Sequence, residues 1–80
     1  MPITLKVLSP ERELLSCQVE QVELPGMKGR FVVLKDHAPI LSALDRGVIR
    51  YRTGGEDKEM PVSSGFVKVK DNVVTACVEV

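Results

Sequence analysis

The 80-residue chain has one histidine, two cysteines, three aromatic side chains and no tryptophan. Each scarcity closes a class of function. A zinc site needs three or four donors, and a hydrolytic triad needs a nucleophile, a base and an orienting acid. His37 with the distant Cys17 and Cys77 supplies neither set. Phe31, Tyr51 and Phe66 are too few to form a stacking platform for single-stranded nucleic acid. Eleven basic and eleven acidic residues cancel, so no net charge draws the chain toward nucleic acid or anionic lipid. No apolar run approaches the ~20 residues of a membrane-spanning helix. The opening "MPITLKVL" lacks the apolar core of a signal peptide. A soluble chain, not exported by this route and not inserted in a membrane, is the expectation. Its two cysteines read as small buried hydrophobes of a reducing compartment, able to pair only if two strands bring them together.

What the chain has is valine, thirteen of them, arranged almost without helical period. In "ITLKVL", Ile3, Leu5 and Val7 share one face. "LLSCQVEQVEL" puts Leu15, Cys17 and Val19 in one phase and Val22 and Leu24 in the other, which requires a bulge near Glu20-Gln21 or a break into two strands. "PGMKG" is a turn, followed by the strand "RFVVL". "KDHAPILSAL" fits a loop and then a short strand or turn at residues 40–44, since Pro39 drives Ala38 out of helical geometry. "VIRYRT" turns Ile49, Tyr51 and Thr53 inward and its arginines to water. "GGED" is a hairpin tip, and Pro61 marks "KEMPV" as an edge or a bulge. "FVKVK", the two-residue turn "DN" and "VVTACVEV" form a last hairpin, with Val74, Ala76, Val78 and Val80 apolar-facing. Leu5, Val7, Val22, Leu24, Val33, Ile49, Val67, Val69, Val74 and Val78 are the expected core. Short alternating strands between turn signals predict one all-β domain over residues 1–80, a sandwich or flattened barrel.

Little of this carries chemistry. Ser63-Ser64-Gly65 faintly resembles a nucleophile turn but lacks the strand-turn-helix setting, which leaves a small esterase around Ser64 as a weak third reading. "LPGMKG" lacks the longer glycine pattern and the Lys-Ser/Thr closure of a phosphate loop, so Gly26 and Gly29 shape a tight surface turn. The turn displays Met27, Lys28 and Arg30 as an apolar and basic knuckle suited to a loop bearing carboxylates. His37 reads as a side chain hydrogen-bonded within its loop or to a carbonyl across the sheet.

The string "VELPGMKGRFVVLKDHAPILSALDRGVIRY" resembles the N-terminal domain of the epsilon subunit of F-type ATP synthases, called delta in mitochondria. The matching positions are Pro25, Gly26, Gly29, Phe31, His37, Ala38, Pro39 and Gly47. "SSGFVKVKDNVVTACVEV" is similar to that domain's ending at Gly65, Phe66, Val69, Asn72 and Thr75. The chain departs from the pattern at Val32, where glycine is usual, and at Lys35-Asp36 before the histidine. Many relatives continue into an Ala-rich pair of helices, whereas this sequence stops at Val80.

The resemblance implies a flattened ten-stranded β-sandwich without cofactor or catalysis. It implies a central-stalk rotor subunit that links the gamma subunit to the c-ring and couples proton or sodium passage to ATP synthesis. The isolated domain would be a monomer. In the complex it would lie peripherally at the cytoplasmic face of a bacterial inner membrane, or the matrix or stroma face in an organelle. Carried over, Gly26, Met27, Lys28, Gly29, Arg30 and Phe31 would meet the c-ring, and Ser9, His37 and Ser42 would face gamma. Without the helices, such a domain is expected to support coupling without inhibiting by extension or sensing ATP. The alternative is a small β-sandwich adaptor for a peptide or small ligand.

Overall fold

The computed structural model describes residues 2–80. The alternating runs become nine strands: β1 (Ile3–Leu8), β2 (Glu13–Val19), β3 (Gln21–Gly26), β4 (Gly29–Val33), β5 (Ile40–Leu44), β6 (Gly47–Thr53), β7 (Glu56–Val62), β8 (Ser64–Lys70) and β9 (Val73–Glu79). The count is nine rather than ten. Residues 34–39 add no strand, since Asp36 takes φ 62° and Pro39 has no N–H for a ladder.

One continuous sheet runs in the order β2-β1-β9-β8-β5-β3-β6-β7, with β4 paired to β3. It folds over between β5 and β3, where the pairing shrinks to Gly26 opposite Leu44. The other side is closed by the Glu20 N–H donating to the Arg52 carbonyl at 2.7 Å and the Thr53 hydroxyl donating to the Gln18 carbonyl at 2.9 Å. The result is a flattened sandwich, with β2-β1-β9-β8-β5 as one layer and β4-β3-β6-β7 as the other.

The phase slip at Glu20 now has a cause. β2 ends at Val19 and the chain crosses to the other layer, where the inward side of the strand reverses, so both Val19 and Val22 are buried. The ten expected core residues are all buried, joined by Ile3, Val19, Leu44, Tyr51, Val62 and Ala76 in one cluster. Val80 is the exception to the β9 pattern: it lies past the end of that strand and is exposed.

Turn chemistry holds as read. Asp71 and Asn72 take φ 52° and 63°, the positive pair that a two-residue hairpin of this hand requires. Pro61 sits on β7, the end strand of the sheet, where its missing N–H breaks no inner ladder. Lys58 on that strand is paired with Tyr51 on the inward side yet stays exposed, a charge that discourages further strand addition.

Candidate partner-binding surfaces

The turn between β3 and β4 is a two-residue loop, Met27-Lys28, closed by Gly29 at φ 125°. Met27 and Lys28 are exposed at its tip, while Gly26 is buried and Phe31 packs partly against the core. Gly26 cannot be replaced freely, because a Cβ there would lie 2.7 Å from the Gly29 carbonyl oxygen and 3.0 Å from the Phe31 ring. The turn is also tied to β5: the Met27 N–H donates to the Ala43 carbonyl at 3.0 Å, and the Asp45 N–H donates to that of Pro25 at 2.7 Å.

Arg30 does not belong to the free knuckle. Its Nε donates to the Glu23 carboxylate at 2.8 Å and its Nη2 to the Val48 carbonyl at 2.8 Å. The guanidinium therefore staples β4 to β3 and β6, and its hydrogen bond holds the Glu23 carboxyl below the usual range. Met27, Lys28 and Gly29 form the exposed tip, and Arg30 beside them is exposed but held in these two bonds.

The residues expected to face gamma lie apart. Ser9 sits in the β1–β2 turn, its hydroxyl donating to the Arg12 carbonyl at 3.1 Å and accepting from the Arg12 N–H at 3.2 Å. Ser42 on β5 is paired with the buried Val67 and donates to the Ala43 carbonyl at 3.0 Å, so it faces inward beside the Met27-Lys28 turn. His37 is at the other end of the layer. Its loop is fastened to Asn72, whose carbonyl receives the Thr4 N–H at 2.9 Å, whereas Ser9 follows the far end of β1. Nδ1 of His37 lies 2.7 Å from the Ala38 carbonyl, so that nitrogen carries the proton, and the His37 N–H donates to Leu34 at 3.1 Å. The ring is engaged within its own loop.

No cluster of three or more metal-ligating side chains occurs among the described residues. Ser64 is an exposed strand residue on β8, with no histidine near it in the sheet register. The cysteines take opposite faces. Cys17 is paired with buried Leu5 and points inward, while Cys77 is paired with Leu8 and Phe66 and is exposed, against the expectation that both are buried. With β1 between their strands and the two faces opposed, the pair cannot form a disulfide in this fold.

The class defined by these features is an all-β, two-layer sandwich domain. The family model for the ATP synthase delta/epsilon chain beta-sandwich domain matches residues 2–80, and the chain belongs to that family. It is 46% identical over 72 residues to the ATP synthase epsilon chain of Desulfitobacterium hafniense, covering 90% of this chain and 54% of that one. It is 40% identical over 74 residues to that of Anaeromyxobacter sp. (strain K), covering 92% and 56%. The chain thus spans about half the length of the curated relatives it matches. A chain of the Euglena gracilis mitochondrial ATP synthase (OSCP/F1/c-ring) superposes with a TM-score of 0.90 at 24% identity, over 96% of this chain and 50% of that one. A chain of the Tetrahymena thermophila mitochondrial ATP synthase central stalk/c-ring structure gives 0.81 at 16% identity, over 100% and 65%. At these identities the superpositions show the fold. No helix among the described residues is long and apolar enough to cross a membrane.

Proposed function

We propose that this domain is a non-catalytic rotor element of an F-type ATP synthase, standing between the gamma subunit and the c-ring and serving the coupling of ion passage to ATP synthesis. The reading is carried by one observation: identity of 46% to an ATP synthase epsilon chain across nine-tenths of the sequence. Such a role needs stiffness and complementary surface rather than a reactive centre, and a closed two-layer sheet supplies both. Met27 and Lys28 would reach the c-ring loops, with Gly26, Gly29 and Phe31 shaping the turn and Arg30 bracing it. Ser9 and His37 would meet gamma at opposite ends of β1, ~17 Å of strand apart, with Ser42 beside the turn. The domain would lie peripherally at the cytoplasmic membrane face, or its organellar equivalent.

The test is association with purified gamma, then addition of the domain to vesicles bearing an ATP synthase stripped of its epsilon subunit. The expected result is a stable complex with gamma and restored ATP-driven ion pumping. His37→Ala should weaken that complex while leaving the fold intact. A folded domain that does not bind gamma would refute the reading.

A further inference from the structure

The seam where β2 meets β6 brings a thiol and an unused hydrogen-bond donor together. The Thr53 hydroxyl on the Gln18 carbonyl, at 2.9 Å, and the Glu20 N–H on the Arg52 carbonyl, at 2.7 Å, fix the ends of the two strands against each other. One residue back along β2 stands Cys17, and two back along β6 stands Tyr51. Both turn inward, Cys17 beside the buried Leu5 and Tyr51 beside the buried Val22. They are near enough for the charge of Cys17 to act on the Tyr51 hydroxyl.

Tyr51 is only 8% exposed, yet its hydroxyl makes no hydrogen bond to any described residue. Every fully buried side-chain N or O among those residues has a partner, so this hydroxyl sits at the mouth of the seam with its donor free. Lys58, the register partner of Tyr51, turns to the same side and is exposed, so the seam opens to water there.

The two thiols differ in setting. Cys17 is half-buried in the seam, whereas Cys77 is exposed on an outer face. A thiol oxidised once becomes a sulfenic acid, and the common fate of that group is condensation with a second thiol. Within the chain none can reach Cys17, because β1 separates the two strands and Cys77 points the other way. From outside, a half-buried sulfur admits a small oxidant far more readily than the thiol of another folded chain.

We propose that Cys17 is an oxidation site for small hydroperoxides, where the sulfenic acid persists because the Tyr51 hydroxyl donates to its oxygen and no second thiol reaches it. The sulfur attacks the outer peroxide oxygen, an S–O bond forms and the O–O bond breaks. The thiol proton leaves with the departing oxygen as an alcohol, or as water from hydrogen peroxide itself. Sulfur loses two electrons and the peroxide gains them. The inference needs only the seam and stands apart from the stalk reading.

Hydrogen peroxide is the probe, and each cysteine serves as the control for the other. In a Cys77→Ser chain, brief treatment followed by dimedone should label Cys17 in the mapped peptide, with the protein still monomeric. In a Cys17→Ser chain, Cys77 should pass to a disulfide-linked dimer and take little label. Tyr51→Phe, added to the Cys77→Ser chain, keeps the ring and removes the donor. If dimedone is withheld for increasing times after the peroxide is removed, the labelled fraction should decay roughly tenfold faster in that variant, the scale of one hydrogen bond. An unchanged far-ultraviolet spectrum would show that each variant folds. Absence of label on Cys17, a dimer linked through Cys17, or equal decay with and without the Tyr51 hydroxyl would overturn the proposal.

Discussion

Asp36 and Asn72, thirty-six positions apart, clasp each other: the Asp36 N–H donates to the Asn72 side-chain carbonyl at 2.7 Å, and the Asn72 amide donates to the Asp36 carboxylate at 3.1 Å. Both residues hold positive φ, 62° and 63°, which asparagine and aspartate tolerate better than most side chains. The clasp fixes the loop that carries His37 against the β8–β9 hairpin. Asn72→Gly keeps the backbone conformation and removes the clasp, whereas Asn72→Ala also strains the turn. The glycine variant should lose about 1–2 kcal/mol for the missing hydrogen bonds and the alanine variant more, measured by urea unfolding. Amide exchange at Asp36 should rise in both.

Gly65 marks a contact of a different sort. A Cβ on it would stand 2.2 Å from the Cys77 carbonyl oxygen and 3.0 Å from the Val78 Cα, so the β8 and β9 backbones are close enough there to exclude any side chain. Gly65→Ala should therefore cost about 1–3 kcal/mol or more through a displaced strand pair. Gly54, at φ 58° with nothing near its missing Cβ, is the control: Gly54→Asn should unfold within about 1 kcal/mol of the parent chain.

Arg30 and Lys28 separate bracing from contact. Arg30→Ala leaves Glu23 and the Val48 carbonyl without their donor and should lower stability by about 1 kcal/mol. Lys28→Glu should leave the melting temperature unchanged and weaken association with the c-ring in a salt-sensitive way. Equal effects of Lys28→Glu on c-ring and gamma binding would show that the turn has no dedicated partner.

Stability should fall at both ends of the pH scale, for different reasons. The hydrogen bond from Arg30 lowers the pKa of Glu23, and that from Arg52 lowers the pKa of Asp57. A carboxylate with a lowered folded-state pKa stabilises the fold above its unfolded value, near ~4, and that contribution disappears as pH falls through the folded one. Salt should blunt the effect, since both pairs are exposed. Tyr51 behaves oppositely: burial, then the Cys17 charge, raises its pKa. Its neutral form favours the fold below the unfolded value near ~10, a contribution lost as pH rises through the folded one. As the chain has one tyrosine and no tryptophan, ultraviolet difference titration reads Tyr51 alone. Its ionisation should come above the free-tyrosine range and shift back toward it in urea.

Local pattern and tertiary arrangement divided this protein between them. The period-two alternation of "ITLKVL", "VIRYRT", "FVKVK" and "VVTACVEV" was enough to name seven of the ten expected core residues, because a strand exposes and buries by turns whatever its neighbours are. The Asp71-Asn72 turn and the Gly54-Gly55 tip were legible because a positive φ is a local demand met by few residue types. The alternation that turns Ala76 and Val78 inward turns Cys77 outward, against the reading of both cysteines as buried, which rested on the general tendency of cysteine. What no local pattern holds is which strand lies beside which. That β1 runs parallel to β9 places Leu8 beside Cys77, a neighbour that no contiguous stretch supplies. The choice of neighbours also made Arg30 a brace between strands, since Val48 stands eighteen residues away. It set His37 and Ser9 at opposite ends of one layer. Such relations depend on which faces two layers must bury together, and a single strand cannot encode them alone.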